Sequence, residues 1–162
     1  MGSKIVTLRH KGGMRFVVAT ESGHDIVVDN SKGNSGPRPT ELVLAAIAGC
    51  TAMDVVEILA KKRQTVDGYS VVTSGTQREI APNVFTDMTV EHIVEGDVET
   101  AALRRAIELS ATKYCTVSAQ FASGVARISH RYVIRRPATS ASPAEESGEV
   151  VVTGPNKDVL AV

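Results

Sequence analysis

The chain opens with three short runs of apolar and β-branched residues. Val, Ile and Phe are concentrated in Lys4–Arg9, Met14–Thr20 and Asp25–Asp29, and such runs are typical of strands. Glycine stands in both breaks between them, as turns require. The pattern predicts an antiparallel three-stranded meander, followed by a polar loop over Asn30–Pro39.

A long helix is predicted from Thr40 to Arg63. Pro39 suits the start of a helix, where its missing N–H has no partner to lose, and Glu41 in the first turn complements the helix dipole. The first half, Leu42–Cys50, is apolar on every side, so it must be buried all round. One small sheet covers only one face of such a helix. We therefore expect a second copy of the chain to cover the rest, giving a homodimer.

The second half of the pattern predicts two strands, a helix and a further strand. The strands are Tyr69–Glu79, Val84–Val94 and Val125–Arg135, and the helix runs from Asp97, a good N-cap, to near Cys115. The resulting order, βββ-α-ββ-α-β, predicts an α+β fold.

Two buried faces are predicted within these elements. Period-two alternation places one set of side chains of the last strand on an inward face, namely Ala126, Ile128, His130, Tyr132 and Ile134. Spacings of four, three and four predict one stripe on the second helix, namely Leu103, Ile107, Ser110 and Tyr114.

The C-terminal part changes composition. Pro137–Gly148 is rich in Pro, Ala, Ser, Thr and Glu, which is typical of a linker. Beyond it, Val150–Val152 could form an added edge strand or lie in a loose tail. We therefore predict one domain over 1–136, followed by a linker and C-terminal extension over 137–162.

Composition and charge exclude several function classes. The chain has 162 residues, a net charge of zero, no Trp and 4% aromatic residues, which argues against nucleic-acid binding. No apolar run approaches the roughly 18 residues of a membrane span, and no signal-peptide pattern opens the chain. The four histidines are scattered without a helical metal-site spacing. We expect a cytoplasmic protein with no membrane segment, no metal and no cofactor.

The two cysteines, Cys50 and Cys115, are the candidate chemistry. Most free cysteines are simply small buried hydrophobes. However, Cys50 shares the polar meridian of its helix with Asp54, Glu57 and Lys61, so it points where a ligand can reach it. A neighbouring carboxylate disfavours a thiolate, so a nucleophilic Cys50 requires a cation from elsewhere in the fold.

Arg9 or Arg15 could supply that cation, although either could equally be a solvated strand residue. Glu41 lies nine residues before Cys50, roughly 13 Å along a straight helix. It could share a site with Cys50 only if the helix bends or an arginine spans the gap, and its role at the helix dipole is sufficient alone. Cys115 is predicted at a helix C-terminus, where the dipole disfavours a thiolate. It is therefore the poorer nucleophile and the better resolving thiol.

Two segments carry a family resemblance. Gly36–Cys50, which contains Pro39-Thr40-Glu41-Leu42, and Ala106–Val117, which ends Tyr114-Cys115-Thr116-Val117, resemble the two cysteine motifs of the OsmC/Ohr family. These are the osmotically inducible protein C and organic hydroperoxide resistance proteins. The resemblance extends over about residues 4–135, and the chain is most similar to the uncharacterised OsmC-like subgroup.

The resemblance implies an intertwined homodimer with two long central helices packed against sheets. It also implies a thiol peroxidase that reduces organic hydroperoxides and hydrogen peroxide. Cys50 would become a sulfenic acid, Cys115 would close a disulfide onto it, and an external thiol or dithiol reductant would restore both. In the peroxidase branches an arginine and a glutamate activate the first thiol. That glutamate falls where this chain has Thr40, with Glu41 the adjacent carboxylate, and Thr116 stands where those branches usually have proline.

A different class of function is also open. The cysteines could line an interfacial pocket of a non-catalytic dimer that binds a small ligand, or of a purely structural dimer. The peroxidase requires a reactive Cys50 within disulfide reach of Cys115, whereas a binding module requires only the pocket.

Overall fold

The computed structural model describes residues 3–122, 124 and 127–154, in two compact units that span residues 1–43 and 44–162. The elements confirm the predicted α+β class and its order, with one helix and one strand added. The predicted start of the last strand at Val125 and Ala126, and the tail beyond Gly154, lie outside the described residues.

The first unit contains the predicted meander. Strands β1 (Val6–His10), β2 (Phe16–Thr20) and β3 (Asp25–Val28) pair antiparallel in the order β1-β2-β3. The register places Leu8 opposite Val18.

Helix α1 spans Pro39–Lys61, within two residues of the prediction. Its buried side chains recur every four residues as one stripe, namely Ile47, Thr51, Val55 and Leu59. The helix ends where Arg63 takes a left-handed conformation, with φ 57°. The N–H of Arg63 then donates to Ala60 O and that of Gln64 to Leu59 O, which satisfies the last carbonyls.

Helix α1 also corrects the expectation that no segment has membrane-spanning length. It is long and apolar enough to cross a membrane by length and composition, with a mean hydropathy of 2.0 over 18 residues. The apolar stretch is interrupted by only two acidic residues, Asp54 and Glu57, before Lys61. The core helix of a water-soluble protein can have the same length and composition; in this chain 22% of that 18-residue window is buried.

The second unit is built on a four-stranded sheet. Strands β4 (Gly68–Gln77) and β5 (Phe85–Glu95) pair antiparallel, β5 and β6 (Arg127–Arg135) pair parallel, and β7 (Glu145–Thr153) pairs antiparallel with β6. The core lies between this sheet, α1 and helix α2 (Thr100–Leu109). The predicted inward face of β6 is confirmed over its described residues: Ile128, His130, Tyr132 and Ile134 are all buried.

The predicted N-cap of the second helix is wrong. Asp97 is not the N-cap of α2, because the helix begins at Thr100 and Glu99 takes the cap position without a side-chain cap bond. The turn at Gly96, with φ 131° and a hydrogen bond from Val98 N–H to Gly96 O, delays the helix by one short turn.

The linker prediction for Pro137–Gly148 is wrong over its last four residues. Strand β7 begins at Glu145, so the edge-strand alternative for Val150–Val152 is the correct one. The reason is a set of polar contacts between β7 and the rest of the sheet, which composition does not reveal. Arg136, whose side chain is 2% exposed, contacts Glu146 at 3.2 Å, and Tyr132 OH donates to the same carboxylate at 3.1 Å. The domain boundary after residue 136 stays a prediction.

Candidate active site

A change of helical pitch positions the second cysteine. Directly after α2, residues Ser110–Tyr114 form a π-helical turn, and the Cys115 N–H donates to Ser110 O, five residues back, at 2.9 Å. A π turn inserts one residue into the helical repeat. The predicted stripe therefore fails at its last member: Tyr114 is 49% exposed, and Cys115, 2% exposed, is buried instead.

Cys115 also directly precedes a helix that the sequence analysis does not predict. Helix α3 spans Thr116–Ala122, and the Ser118 N–H donates to Cys115 Sγ at 3.3 Å. The prediction that Cys115 lies at a helix C-terminus is confirmed, because it is the C-cap of the π-helical turn. The same residue also directly precedes the N-terminus of α3, which the prediction did not include. The sulfur occupies a cap position and accepts a hydrogen bond from the first turn of the following helix.

The fold brings Cys50 and Cys115 together. Their Sγ atoms and a carboxylate oxygen of Asp54 all lie within 4.8 Å of one another. Cys50 is partly exposed, whereas Cys115 is buried, and both thiols are free. Cys50 and Asp54 lie one turn apart on α1, so the shared meridian predicted for them is confirmed. Their meeting with Cys115 depends on the π turn.

A buried chain of hydroxyl groups fixes the carboxylate. Ser110 Oγ donates to Asp54 Oδ2 at 2.8 Å and lies 2.9 Å from Thr51 Oγ1. Ser110 and Thr51 are both fully buried, so neither exchanges its partner for water. The sequence analysis does not identify either hydroxyl as part of the site. Thr51 directly follows Cys50, and Ser110 begins the π turn that leads to Cys115.

The environment of Cys115 disfavours its thiolate. Burial raises the pKa of the Cys115 thiol to about 12, and the contact with Cys50 and the negative charges of Cys50 and Asp54 act in the same direction. The hydrogen bond from the Ser118 N–H opposes this rise but does not cancel it. The predicted direction for Cys115 therefore holds, with burial rather than a helix dipole as its main cause.

An open groove of about 660 Å³ adjoins the cluster through Asp54. Its walls combine acidic, basic, aliphatic and aromatic side chains, namely Asp54, Glu57, Ile58, Lys61, Lys62, Leu109 and Tyr114. The groove gives small molecules access to the carboxylate side of the thiol cluster.

The other predicted site residues lie in the first unit. Glu41, in the first turn of α1, accepts hydrogen bonds from the backbone N–H of Arg38 at 2.9 Å and from its guanidinium at 3.0 Å. These bonds lower the pKa of the Glu41 carboxyl. Arg9 lies in β1, and Arg15 directly precedes β2. A role for Glu41, Arg9 or Arg15 at the thiols stays a prediction.

Comparison with known proteins identifies relatives of this chain. Residues 32–129 match the family model described as OsmC-like protein. Protein YhfA of Escherichia coli (strain K12) is 42% identical over 123 residues, which are 75% of this chain and 91% of YhfA.

Solved structures share the fold. A hypothetical protein from Aquifex aeolicus VF5 has a TM-score of 0.75 at 31% identity, covering 85% of this chain and 99% of that one. An organic hydroperoxide resistance protein OsmC from Legionella pneumophila has a TM-score of 0.60 at 13% identity, covering 83% and 97%. At that identity the second likeness concerns the fold alone.

Proposed function

The chain belongs to the OsmC-like protein family, and from that premise we propose that it is a thiol-dependent peroxidase that reduces organic hydroperoxides and hydrogen peroxide. The observation that carries the proposal is the pair of free thiols, Cys50 and Cys115, close enough for their side chains to interact. One is accessible and the other buried, as a nucleophile and a resolving thiol require.

The reaction divides into two steps that follow from this asymmetry. The Cys50 thiolate attacks one peroxide oxygen, the O–O bond breaks, and the leaving alkoxide or hydroxide takes up a proton as alcohol or water. The Cys50 sulfenic acid is then attacked by Cys115, which loses its thiol proton as the sulfenic oxygen leaves as water. The product is a Cys50–Cys115 disulfide.

A thiol or dithiol reductant supplies the two electrons that restore both thiols. Such reductants, and free cysteines, are typical of the cytoplasm, where we place the protein.

Asp54 has a place in the proton transfers. A carboxylate oxygen of Asp54 lies within 4.8 Å of both sulfurs, and the hydrogen bond from Ser110 to Oδ2 holds the carboxylate in place. It can therefore take the proton of one thiol and return it to the leaving oxygen. Its negative charge opposes a neighbouring thiolate, so the proposal includes the activating cation that the sequence analysis calls for, with Arg9 and Arg15 as the candidates.

We also propose that the working unit is a homodimer. Met53 and Val56, on the side of α1 away from its buried stripe, are 75% and 45% exposed. Isolated apolar side chains are common on surfaces, but here they extend a helix that is apolar over most of its length. A second copy of α1 covers this face most simply.

The test compares Cys50→Ser with Cys115→Ser in the full chain. Cumene hydroperoxide consumption with a dithiol reductant should be lost in Cys50→Ser, because a serine hydroxyl is a far weaker nucleophile. Cys115→Ser should consume one equivalent per chain and stop, with a sulfenic acid on Cys50 detectable by mass spectrometry. Thr116→Ser, beside Cys115 on the exposed start of α3, serves as the control.

The carboxylate beside the thiols favours one alternative, a non-catalytic dimer in which the cysteines line a ligand pocket. In that case neither cysteine variant would differ from the parent chain in peroxide consumption. Both would alter ligand binding only.

A further inference from the structure

The donor atoms at the cysteine cluster suit a metal ion as well as a peroxide. Cys50 Sγ, Cys115 Sγ and a carboxylate oxygen of Asp54 are mutually within 4.8 Å. Two sulfurs and one carboxylate are ligands that Zn²⁺ accepts, at about 2.3 Å for sulfur and about 2.1 Å for oxygen. In a tetrahedral site such ligands lie about 3.5–3.8 Å apart. The three atoms therefore need to approach one another by about 1 Å at most.

The surroundings of the cluster have the features of a supported metal site. The Ser110 hydroxyl donates to Asp54 Oδ2 and is itself held by Thr51. This arrangement orients the carboxylate, as outer hydrogen bonds do at metal centres. The partial exposure of Cys50 leaves room for water as a fourth ligand.

The charges of the cluster favour a cation. The three donor groups, Cys50, Cys115 and Asp54, are all anionic when deprotonated and lie within 4.8 Å of one another. Three such groups repel one another when all are ionised, whereas a divalent cation between them converts each repulsion into attraction.

We propose that the reduced protein binds one Zn²⁺ per chain through Cys50, Asp54 and Cys115. Binding forms two Zn–S bonds and one Zn–O bond and releases the two thiol protons to solvent, with no change in oxidation state. The sequence analysis expects no metal, because the four histidines are scattered without a helical metal-site spacing. The ligands meet only because the π turn brings Cys115 to α1. This inference does not depend on the peroxidase function.

The proposal predicts affinity that rises with pH. Because two protons are released, binding strengthens by up to about 100-fold per pH unit while both thiols are protonated. A disulfide between the same cysteines removes both sulfur ligands, so the oxidised chain loses the site.

The test is a titration of the reduced full-length chain, stripped with a chelator, with Zn²⁺ against a chromogenic competitor. One Zn²⁺ per chain is expected. Cys50→Ser should weaken binding about 100-fold or more, and Asp54→Asn about 10- to 100-fold. Glu57→Gln, an exposed carboxylate one turn further along α1, should leave the affinity unchanged. Co²⁺ in place of Zn²⁺ should give thiolate-to-cobalt charge-transfer absorption that is weaker in Cys50→Ser and absent when both cysteines are replaced by serine.

Binding that survives Cys50→Ser, or an affinity equal in Asp54→Asn and Glu57→Gln, would overturn the proposal. So would less than one Zn²⁺ per reduced chain. Circular dichroism of each variant identifies a failure to fold, and the cobalt spectrum of the unmodified chain tests the sulfur ligands without any substitution. Peroxide consumption in excess chelator reports on the proposed peroxidase separately, so the two proposals fail independently.

Discussion

The Cys115 N–H bonds to the carbonyl of Ser110, five residues earlier, at 2.9 Å. In a continuous α-helix the position four residues after Ser110, Tyr114, would face the core. Because of the π turn, Cys115 takes the inward-facing position instead, and its sulfur lies near that of Cys50. One extra residue in one turn thus creates the cluster on which the proposed chemistry depends.

The hydroxyl chain behind the cluster should contribute measurable stability. Ser110→Ala removes the donor to Asp54 and leaves the fully buried Thr51 hydroxyl without its partner. We expect the free energy of unfolding to fall by about 1–3 kcal/mol, measured by urea denaturation. Thr112→Ala, an exposed hydroxyl in the same π turn, should change it by less than about 0.5 kcal/mol. Equal effects would show that the buried chain contributes nothing specific.

Two buried histidines should make the protein sensitive to mild acid. Burial lowers the pKa of His92 to about 3 and that of His130 to about 4. The unfolded chain protonates both near pH 6.5, so stability is full above that pH and falls as the pH drops from 6.5 towards 4. The loss at pH 5 is about 2 kcal/mol for each histidine.

The measurement is the urea midpoint at pH 7 and pH 5. Neither ring nitrogen of His130 has a hydrogen-bond partner among the described residues, so His130→Leu should fold at pH 7 and lose about half of the pH dependence. His24→Leu, at an exposed turn, should keep all of it. If the pH dependence of His130→Leu matched that of the unmodified chain, His130 would not be neutral in the folded state.

The C-terminal strand should be needed for stability, contrary to what its composition suggests. A chain that ends at Arg136 loses β7 and the carboxylate of Glu146, and leaves the buried guanidinium of Arg136 without its ion pair. The loss of this ion pair and of the whole β6–β7 ladder should make the truncated chain melt many degrees lower, as measured by circular dichroism. Removal of residues 155–162 alone is the control. A truncation at Arg136 with unchanged melting would restore the linker interpretation.

Glu146 should give this strand its own pH dependence. Hydrogen bonds from Thr100, Arg136 and Tyr132 lower the pKa of its carboxyl below the ordinary value of 4.5. A lowered pKa stabilises the fold above about pH 4.5, and that contribution is lost as the pH falls below it. Glu146→Gln should therefore lower the melting temperature at pH 7, and the difference from the unmodified chain should shrink below pH 4. Glu145→Gln, whose carboxylate is exposed, is the matched control.

The sequence predicts most of the elements but not the junctions between them. The helix from Thr40, the meander and the inward face of His130 follow from periodicity, because those segments obey one repeat over their whole length. The π turn, α3 and the N-cap position at Glu99 do not follow, because each depends on a single hydrogen bond or one backbone angle. The first four residues of strand β7 read as linker because polar residues such as Glu146 are held by the buried Arg136 rather than by an apolar pattern.

For the site, the sequence identifies both cysteines and the meridian shared by Cys50 and Asp54. It does not reveal that Asp54 also lies within 4.8 Å of the Cys115 sulfur, since that proximity joins two elements that are distant in the sequence. The roles of Glu41 and Arg15 stay predictions.

The homodimer can be tested by breaking its proposed interface. Light scattering should give about twice 17.2 kDa for the unmodified chain. Met53→Glu, at a largely exposed apolar position of α1, should shift the mass towards one chain, because burying an unpaired carboxylate in an interface is costly. Lys62→Glu, just beyond the same helix, should remain dimeric. A folded monomer for the unmodified chain would contradict the proposal.

The most direct test of the central claim is a count of free thiols before and after one equivalent of cumene hydroperoxide. The reduced chain holds two free cysteines. If Cys50 attacks the peroxide and Cys115 closes the disulfide, both thiols disappear together, and peptide mapping finds Cys50 joined to Cys115 within one chain. If both thiols remain after the peroxide is added, or if the disulfides join different chains, the account of the site as a two-cysteine peroxidase centre is wrong.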